Sequence, residues 1–313
     1  RKMMKTYLWM GMLMVMSICK AHEGRNFVHS DMLKTMSAND KAAIVMVYFG
    51  TTHDDTRTLT IDRLTEQVQE TFPDFKVREA YTSRTVIQRL AKRGIAKKTP
   101  LEELDWLKRH GYTHVIVQPT TLIEGVEMEA LRREVAGVSG DFKDLRVGTP
   151  LLYTPDDYRA VAATLGTVPS DGRAVVWVGH GTYIPATAQY AMLGDVMNVE
   201  GHEHHFVVTL EGYPMLSDTE ARIRKSGAER VVLCPLMFVA GDHAKNDIAG
   251  EMKEQLEAKG YQVETILKGL GEYEGIRAVF IDHIRFSLHH KMTDIVERKK
   301  VYATPGYEYR HDE

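Results

Sequence analysis

The stretch that decides the fold is Ala174-Val-Val-Trp-Val-Gly-His-Gly-Thr182, and an earlier stretch, Ala43-Ile-Val-Met-Val-Tyr-Phe-Gly-Thr-Thr52, has the same design. Each is an apolar run of strand length that leads into glycine and threonine. A run without polar alternation predicts a strand that is buried on both faces, as in a parallel sheet covered by helices.

Each half of the chain contains a second match further along. His114-Val-Ile-Val-Gln-Pro119 leads to Gly125, and Arg230-Val-Val-Leu-Cys-Pro235 leads to Gly241. Between and after these strands, apolar residues recur at helical spacing. The helical patterns lie at 60–72, 86–93, 101–110, 219–226 and 247–259. Strands that alternate with helices predict an α/β protein with doubly wound, mostly parallel sheets.

The repeat predicts two similar lobes with a cleft between them. The first lobe is expected at 41–150 and the second at 151–275. Residues 276–290 are expected to form a terminal helix that packs back onto the first lobe, and 291–313 to form a polar tail.

The N-terminus has the pattern of a secretory signal peptide. Basic residues precede an apolar run at 7–18, and a small residue, Ala21, follows it. We therefore expect a signal peptide at 1–21, a polar spacer at 22–40 and export to the periplasm. No later apolar run is long enough to span a membrane.

Composition narrows the possible partners. Removal of 1–21 would take away four basic residues and no acidic one, which leaves 36 basic against 43 acidic residues and a formal charge of −7. This balance argues against a nucleic-acid partner. Cys234 would be the single remaining cysteine, so the predicted mature chain forms no internal disulfide.

Three potential metal ligands follow three predicted strands. His180 comes after 174–178, Glu211 follows 206–210, and His243 comes after the strand at 230–235. Parallel sheets bind ligands beyond the carboxyl ends of their strands, so these side chains are expected to converge. Two imidazoles and one carboxylate leave open coordination positions on a divalent transition metal, which suits a protein that passes the metal on.

Other candidate motifs carry less weight. The tract His202-Glu-His-His205 precedes its strand and so lies at the opposite end from the predicted site, where a solvated loop is expected. His289-His290 is interpreted in the same way. The chain has no P-loop, and Gly269-Leu-Gly271 lacks the context of a dinucleotide fingerprint, so no nucleotide or flavin cofactor is expected.

The chain resembles the anaerobic-pathway sirohydrochlorin cobaltochelatases, which are class II chelatases with a two-lobed, ferrochelatase-like fold. The motifs that carry the resemblance are Phe49-Gly-Thr-Thr-His-Asp-Asp-Thr-Arg57, Tyr81-Thr-Ser-Arg84, Leu90-Ala-Lys-Arg-Gly94, Val178-Gly-His-Gly-Thr182, Leu210-Glu-Gly-Tyr-Pro214 and Gly241-Asp-His-Ala-Lys-Asn-Asp247.

The resemblance implies a lyase of cobalamin biosynthesis that inserts a divalent metal, Co²⁺ above all, into sirohydrochlorin. It also implies that His180, Glu211 and His243 are the metal ligands and act in catalysis, and that the tetrapyrrole lies in the cleft. Relatives often carry a histidine where this chain has Thr120-Thr-Leu122, so a haem contact from that position is expected to be absent.

A tetrapyrrole with many carboxylates requires cations and hydrogen-bond donors in the cleft. Arg57 and Arg84 follow the first two strands of the first lobe and are the predicted carboxylate partners. Further donors are expected from Thr51, Thr52, Ser83 and Thr182.

Three alternatives stay open at this point. The first is a non-catalytic periplasmic carrier of a tetrapyrrole or metal. The second is an enzyme that uses Fe²⁺ or Ni²⁺, or that removes the metal from a porphyrin, because two histidines and a glutamate do not discriminate among these metals. The third is a periplasmic binding protein for another small ligand. The sequence leaves homo-oligomerisation open.

Overall fold

The structure is a computed structural model, and it describes residues 26–305. The predicted signal peptide at 1–21 and the end of the predicted tail, 306–313, lie outside the described residues.

Two parallel four-stranded sheets form the centres of two lobes. The first sheet has the order β3-β2-β4-β5 and the second has the order β7-β6-β8-β9. The strands of these sheets are β2 (Ala42–Tyr48), β3 (Lys76–Tyr81), β4 (His114–Pro119), β5 (Asp144–Val147), β6 (Ala174–Gly181), β7 (His205–Glu211), β8 (Arg230–Pro235) and β9 (Gln262–Thr265). All seven residues of β2 are buried, as expected for a central strand with helices on both faces. The predicted α/β class with two parallel sheets is confirmed.

Helices cover both sheets. They are α1 (Asp54–Arg57), α2 (Arg63–Thr71), α3 (Arg84–Ala91), α4 (Pro100–Arg109), α5 (Val126–Ala136), α6 (Pro155–Leu165), α7 (Ala188–Val199), α8 (Leu216–Lys225), α9 (Lys253–Ala258), α10 (Glu274–His289) and α11 (Ile295–Tyr302). Two π-helical segments, Thr58–Asp62 and Ala244–Met252, lead into α2 and α9. Helix α4 begins with Pro100 and a capping box between Thr99 and Glu102, which satisfies amide groups that the first turn leaves unpaired.

One apolar core joins the lobes. It contains Tyr48 of β2, Trp177 of β6 and Phe280 of α10, and Phe238 lies between the lobes with its ring centroid 5.5 Å from that of Tyr48 and 5.9 Å from that of Phe280. Helix α10 also packs on β4 and α2 of the first lobe. A shared core of close-packed side chains resists independent movement of the two sheets.

The two ends of the described chain meet in a short antiparallel sheet. Strand β1 (Phe27–His29) pairs with β10 (His290–Met292). The Phe27 ring lies edge-on to the ring of Phe286 at 5.0 Å, and Met32 is fully buried.

Arg146 of β5 holds these ends in place. Its guanidinium is buried, pairs with Asp144, and donates hydrogen bonds to the carbonyl oxygens of Ser30 and Ser287 at 2.7 and 2.8 Å. The described parts of the predicted polar spacer at 22–40 and polar tail at 291–313 therefore pair with each other and contact the first lobe. Each segment gains its structure from a partner far away in the chain, which a local pattern does not reveal.

Candidate active site

His180 and Glu211 lie side by side because their strands are neighbours. His180 occupies the end of β6, and Glu211 is the last residue of β7, paired with Gly181. The His180 Nδ1 and Glu211 Oε1 atoms are 3.6 Å apart. The sequence places one imidazole and one carboxylate at adjacent strand ends, and the parallel register brings them together.

Two glycines allow this close approach. Gly181 has φ +88°, and a Cβ added there would lie 1.8 Å from the carbonyl oxygen of Glu211. Gly212 has φ +80°, and its added Cβ would lie 2.2 Å from the carbonyl oxygen of Thr182. A side chain at either position would be strained and would push the two strand ends apart.

His243 completes the group from the loop after β8. It directly precedes the π-helical segment Ala244–Met252, and its ring centroid lies 4.9 Å from that of His180 at an interplanar angle of 82°. Its Nδ1 atom lies 2.6 Å from Oδ2 of Asp247. A carboxylate accepts hydrogen bonds, so Nδ1 is the donor and Nε2 carries the lone pair that a metal requires.

The three side chains are open to a ligand. His180, Glu211 and His243 each expose about half of the side chain, 51% in every case. Among residues 26–305, no group of three or more His, Cys, Asp and Glu side chains is already arranged to hold a metal ion. Side-chain rotations are therefore needed before all three groups can bind one ion.

The predicted threonine and serine donors have different surroundings. Thr51 is buried, and its hydroxyl accepts a hydrogen bond from the amide of His53 at 3.1 Å. Thr182 is buried, and its Oγ1 atom has no hydrogen-bond partner in the protein. The Thr52 carbonyl accepts a hydrogen bond from Arg93 at 2.6 Å. The Ser83 hydroxyl, at the start of α3, accepts a hydrogen bond from an amide of the first helical turn, so it serves as the helix cap.

The two predicted arginines form loose ion pairs within the first lobe. Arg57 lies 3.8 Å from Asp54 and 3.7 Å from Asp62, and its buried Nε atom has no hydrogen-bond partner. Arg84 lies 3.7 Å from Glu134 of α5. These distances exceed those of hydrogen bonds, so the pairs are exchangeable for other carboxylates.

The sequence did not reveal a cluster of polar and charged side chains that connects the two lobes. His53, after β2, lies 2.6 Å from Asp242, the residue before His243. Arg89 of α3 lies 3.4 Å from the other oxygen of Asp242, and Lys245 lies 3.2 Å from His53. The hydrogen bond with His53 lowers the pKa of Asp242. His53, Asp242 and Lys245 stand within motifs already noted in the sequence, but nothing in one sequence pairs residues so far apart.

Three exposed aromatic side chains follow strands of the two sheets. Phe49 follows β2, Tyr183 follows β6, and Tyr213 follows β7; they are 56%, 82% and 53% exposed. Large aromatic residues are usually well covered in a folded protein. Tyr183 and Tyr213 follow His180 and Glu211 within three residues and so place exposed rings beside these polar groups, whereas Phe49 is exposed at the corresponding end of a first-lobe strand.

The two-lobed fold is similar to that of solved metal chelatases. The structure is similar to SirB from Bacillus subtilis with Fe³⁺, with a TM-score of 0.58 and 13% identity over 79% of this chain and 96% of that one. It is also similar to the sirohydrochlorin chelatase SirB from Bacillus subtilis subspecies spizizenii in complex with cobalt, with a TM-score of 0.56 and 12% identity over 79% and 95% of the two chains. At these identities the likeness concerns the fold.

The chain belongs to the cobalt chelatase (CbiK) family, whose model matches residues 42–289. It is 35% identical to the sirohydrochlorin cobaltochelatase of Salmonella typhimurium over 257 residues, which cover 80% of this chain and 97% of the relative. It is 34% identical to the sirohydrochlorin cobaltochelatase CbiKC of Nitratidesulfovibrio vulgaris over 255 residues, which cover 78% and 89% of the two chains. The family resemblance seen in the sequence is confirmed.

Proposed function

We propose that this protein inserts Co²⁺ into sirohydrochlorin, with His180, Glu211 and His243 as the groups that bind the metal. The observation that carries the proposal is the convergence of these side chains at one edge of the second sheet in a member of the cobalt chelatase family. Both relatives described above are named for this reaction.

Metal insertion requires that the macrocycle lose two pyrrole protons while its four nitrogens bind the ion. His180 and His243 present imidazole nitrogens, and Glu211 presents a carboxylate, so the group binds a divalent metal and also offers a proton acceptor. Asp247 orients the ring of His243. As the metal passes to the macrocycle, the groups that release it become free to accept protons, so two of the three take one pyrrole proton each.

The surroundings suit a flat, partly apolar and highly carboxylated substrate. Phe49, Tyr183 and Tyr213 offer exposed rings to the face of the macrocycle. Arg57 and Arg84 are proposed to exchange their loose ion pairs for substrate carboxylates. The hydroxyl groups of Thr51, Thr52, Ser83 and Thr182 are the proposed additional donors.

The test is an anaerobic assay of the purified protein with sirohydrochlorin and Co²⁺, followed in the visible spectrum. Wild-type protein is expected to turn over many times, and His243→Ala is expected to lose turnover. His289→Ala is the control, because His289 is equally exposed, with 50% of its side chain accessible, but lies at the end of α10. A spectral change that stops at one equivalent would instead identify a carrier, and faster insertion of Fe²⁺ or Ni²⁺ would reassign the metal.

We also propose that the protein is exported and acts in the periplasm, in anaerobic cobalamin biosynthesis. The proposal is supported by the basic and apolar pattern of 1–21. Among the described residues, no helix is both long enough and apolar enough to cross a membrane. Sequencing the N-terminus of the protein recovered from cell fractions tests the proposal: a start at His22 in the periplasmic fraction supports it, and an uncleaved cytoplasmic chain refutes it.

A further inference from the structure

His53 is the first-lobe residue that holds the loop on which His243 stands. Its Nε2 atom lies 2.6 Å from Oδ1 of Asp242, across 189 positions of the sequence. Arg89 lies 3.4 Å from Oδ2 of the same carboxylate. Both oxygens of Asp242 are therefore held by side chains of the first lobe, although Asp242 itself belongs to the second.

The hydrogen-bond partners of His53 indicate which ring nitrogen donates and which accepts. The Lys245 ammonium lies 3.2 Å from His53 Nδ1, and an ammonium group only donates. Nδ1 is therefore an acceptor, and Nε2 carries the proton that His53 donates to Asp242. The ring therefore binds an acceptor and a donor of the second lobe at the same time, on either side of His243.

The backbone just before Asp242 makes one further hydrogen bond to the first lobe and passes close to it at a second point. The amide of Ala240 donates to the hydroxyl of Thr56 at 3.1 Å. A Cβ added to Gly241 would lie 3.5 Å from Thr51 Oγ1 and 3.9 Å from the His53 ring, so the loop and the end of β2 are nearly in contact. His53 holds Asp242, which directly precedes His243, and Lys245, which lies two positions after it.

We infer that His53 is a positioning residue: by bridging Asp242 and Lys245 it holds His243 in the orientation that faces His180. The hydrogen bond with Asp247 restricts rotation of the His243 side chain. His53 instead restricts movement of the backbone that carries this side chain. The inference rests on the proposed function, since it assigns His243 to the metal. It gives the first lobe a part in metal binding even though His180, Glu211 and His243 all belong to the second.

The test compares four substitutions of the first-lobe histidines. His53→Ala removes both contacts. His53→Asn reproduces the position of Nδ1 but does not reach Asp242, whereas His53→Gln places an amide N–H near the position of Nε2 and a carbonyl oxygen within reach of Lys245. His110→Ala is the control, since His110 is an exposed first-lobe histidine stacked on Trp106 at the end of α4.

Co²⁺ affinity is measured by the visible absorption of the bound ion, without tetrapyrrole, and KM for Co²⁺ and for sirohydrochlorin is measured separately. For His53→Ala and His53→Asn we expect Co²⁺ binding to weaken by about tenfold, the low end of the range for residues that orient metal ligands. KM for sirohydrochlorin is expected to stay unchanged, and His53→Gln and His110→Ala are expected to behave as wild type.

A double-mutant cycle with Asp242→Asn separates positioning from general damage. If His53 acts through Asp242, the double variant is no weaker in Co²⁺ binding than the worse single variant. The inference is overturned if the two losses are additive, or if His53→Ala binds Co²⁺ as tightly as the wild type. In either case, turnover by the wild type still supports the proposed function. A wild type that binds Co²⁺ but never turns over refutes the proposed function, and the binding data still decide the role of His53.

Discussion

Gly181→Ala tests the geometry of the strand ends most directly. Gly181 has φ +88°, and the new Cβ would meet the carbonyl oxygen of Glu211 at 1.8 Å and the side chain of Thr209 at 2.9 Å. The first obstacle is backbone and cannot rotate away. The substitution therefore separates β6 from β7 at the point where His180 and Glu211 face each other.

The structure allows the cost to be divided into two parts. The left-handed backbone alone costs an alanine about 1 kcal/mol. Relief of the overlap adds about 3 kcal/mol, at the upper end of the range for overpacking. Gly201 provides the matched control, because it has the same φ of +88° and nothing within 4 Å of an added Cβ. Gly201→Ala should therefore cost only about 1 kcal/mol.

Urea unfolding and chelatase turnover together make the test decisive. We expect Gly181→Ala to lose both stability and turnover, and Gly201→Ala to lose a little stability and no turnover. Equal losses of stability in the two variants, with turnover intact in both, would refute the argument that Gly181 is required for the approach of the strands.

Three further predictions follow from other parts of the molecule. Burial lowers the pKa of His205 to about 4, and Trp177 donates a hydrogen bond to its Nδ1 atom. Between pH values of about 4 and 6.5 the unfolded chain binds more protons than the folded one. The free energy of unfolding should therefore fall by about 3 kcal/mol as the pH is lowered from 6.5 to 4. Urea titrations should find a smaller loss in His205→Gln. Phe49→Ala should raise KM for sirohydrochlorin without changing Co²⁺ affinity, whereas Val199→Ala, at another exposed apolar position, on α7, should change neither. Unchanged KM in Phe49→Ala would remove that ring from the substrate site. Arg146→Met should lower the free energy of unfolding by about 3 kcal/mol, because it removes the buried partner of Asp144 and leaves that carboxylate only the half-exposed Lys291, 3.4 Å away. Turnover per folded molecule should persist.

The sequence was most informative for elements whose local hydrophobic pattern reflects their place in the fold. Buried parallel strands are apolar throughout, so β2 and β6 were visible as continuous runs. The strand-end rule then placed His180 and Glu211 together without any contact information. The three proposed metal ligands converge because parallel strands end at the same edge of a sheet. The parallel arrangement could be predicted from the repeated strand and helix pattern of the sequence.

Features that depend on distant partners could not be predicted. Strand β1 has three residues and exists because β10 and Arg146 bind it. Helix α7 is apolar around much of its surface, since it lies between β7 and α6, and so it lacks the one-sided pattern by which helices are recognised. The contact of His53 with Asp242 joins two lobes and has no counterpart in local sequence.

The registers of the two sheets allow the lobes to be compared residue by residue. Val47 pairs with Pro119 in the first sheet as Val178 pairs with Pro235 in the second. Counting on from these pairs makes Gly50 the counterpart of Gly181, and both have positive φ. The next residues, Thr51 and Thr182, are both threonine and both buried. The repeated unit therefore preserves the shape of the strand end in both lobes.

The chemistry of the strand ends is not preserved. By the same count, the first-lobe counterparts of His180, Glu211 and His243 are Phe49, Ser83 and Glu127. One imidazole is thus replaced by an exposed phenyl ring, and the first lobe has no equivalent set of metal ligands at these positions. A flat macrocycle between the lobes would then meet metal-binding groups on one side and an apolar ring on the other. If the proposed ligands act as described, the metal would reach the macrocycle from the face that the second lobe presents.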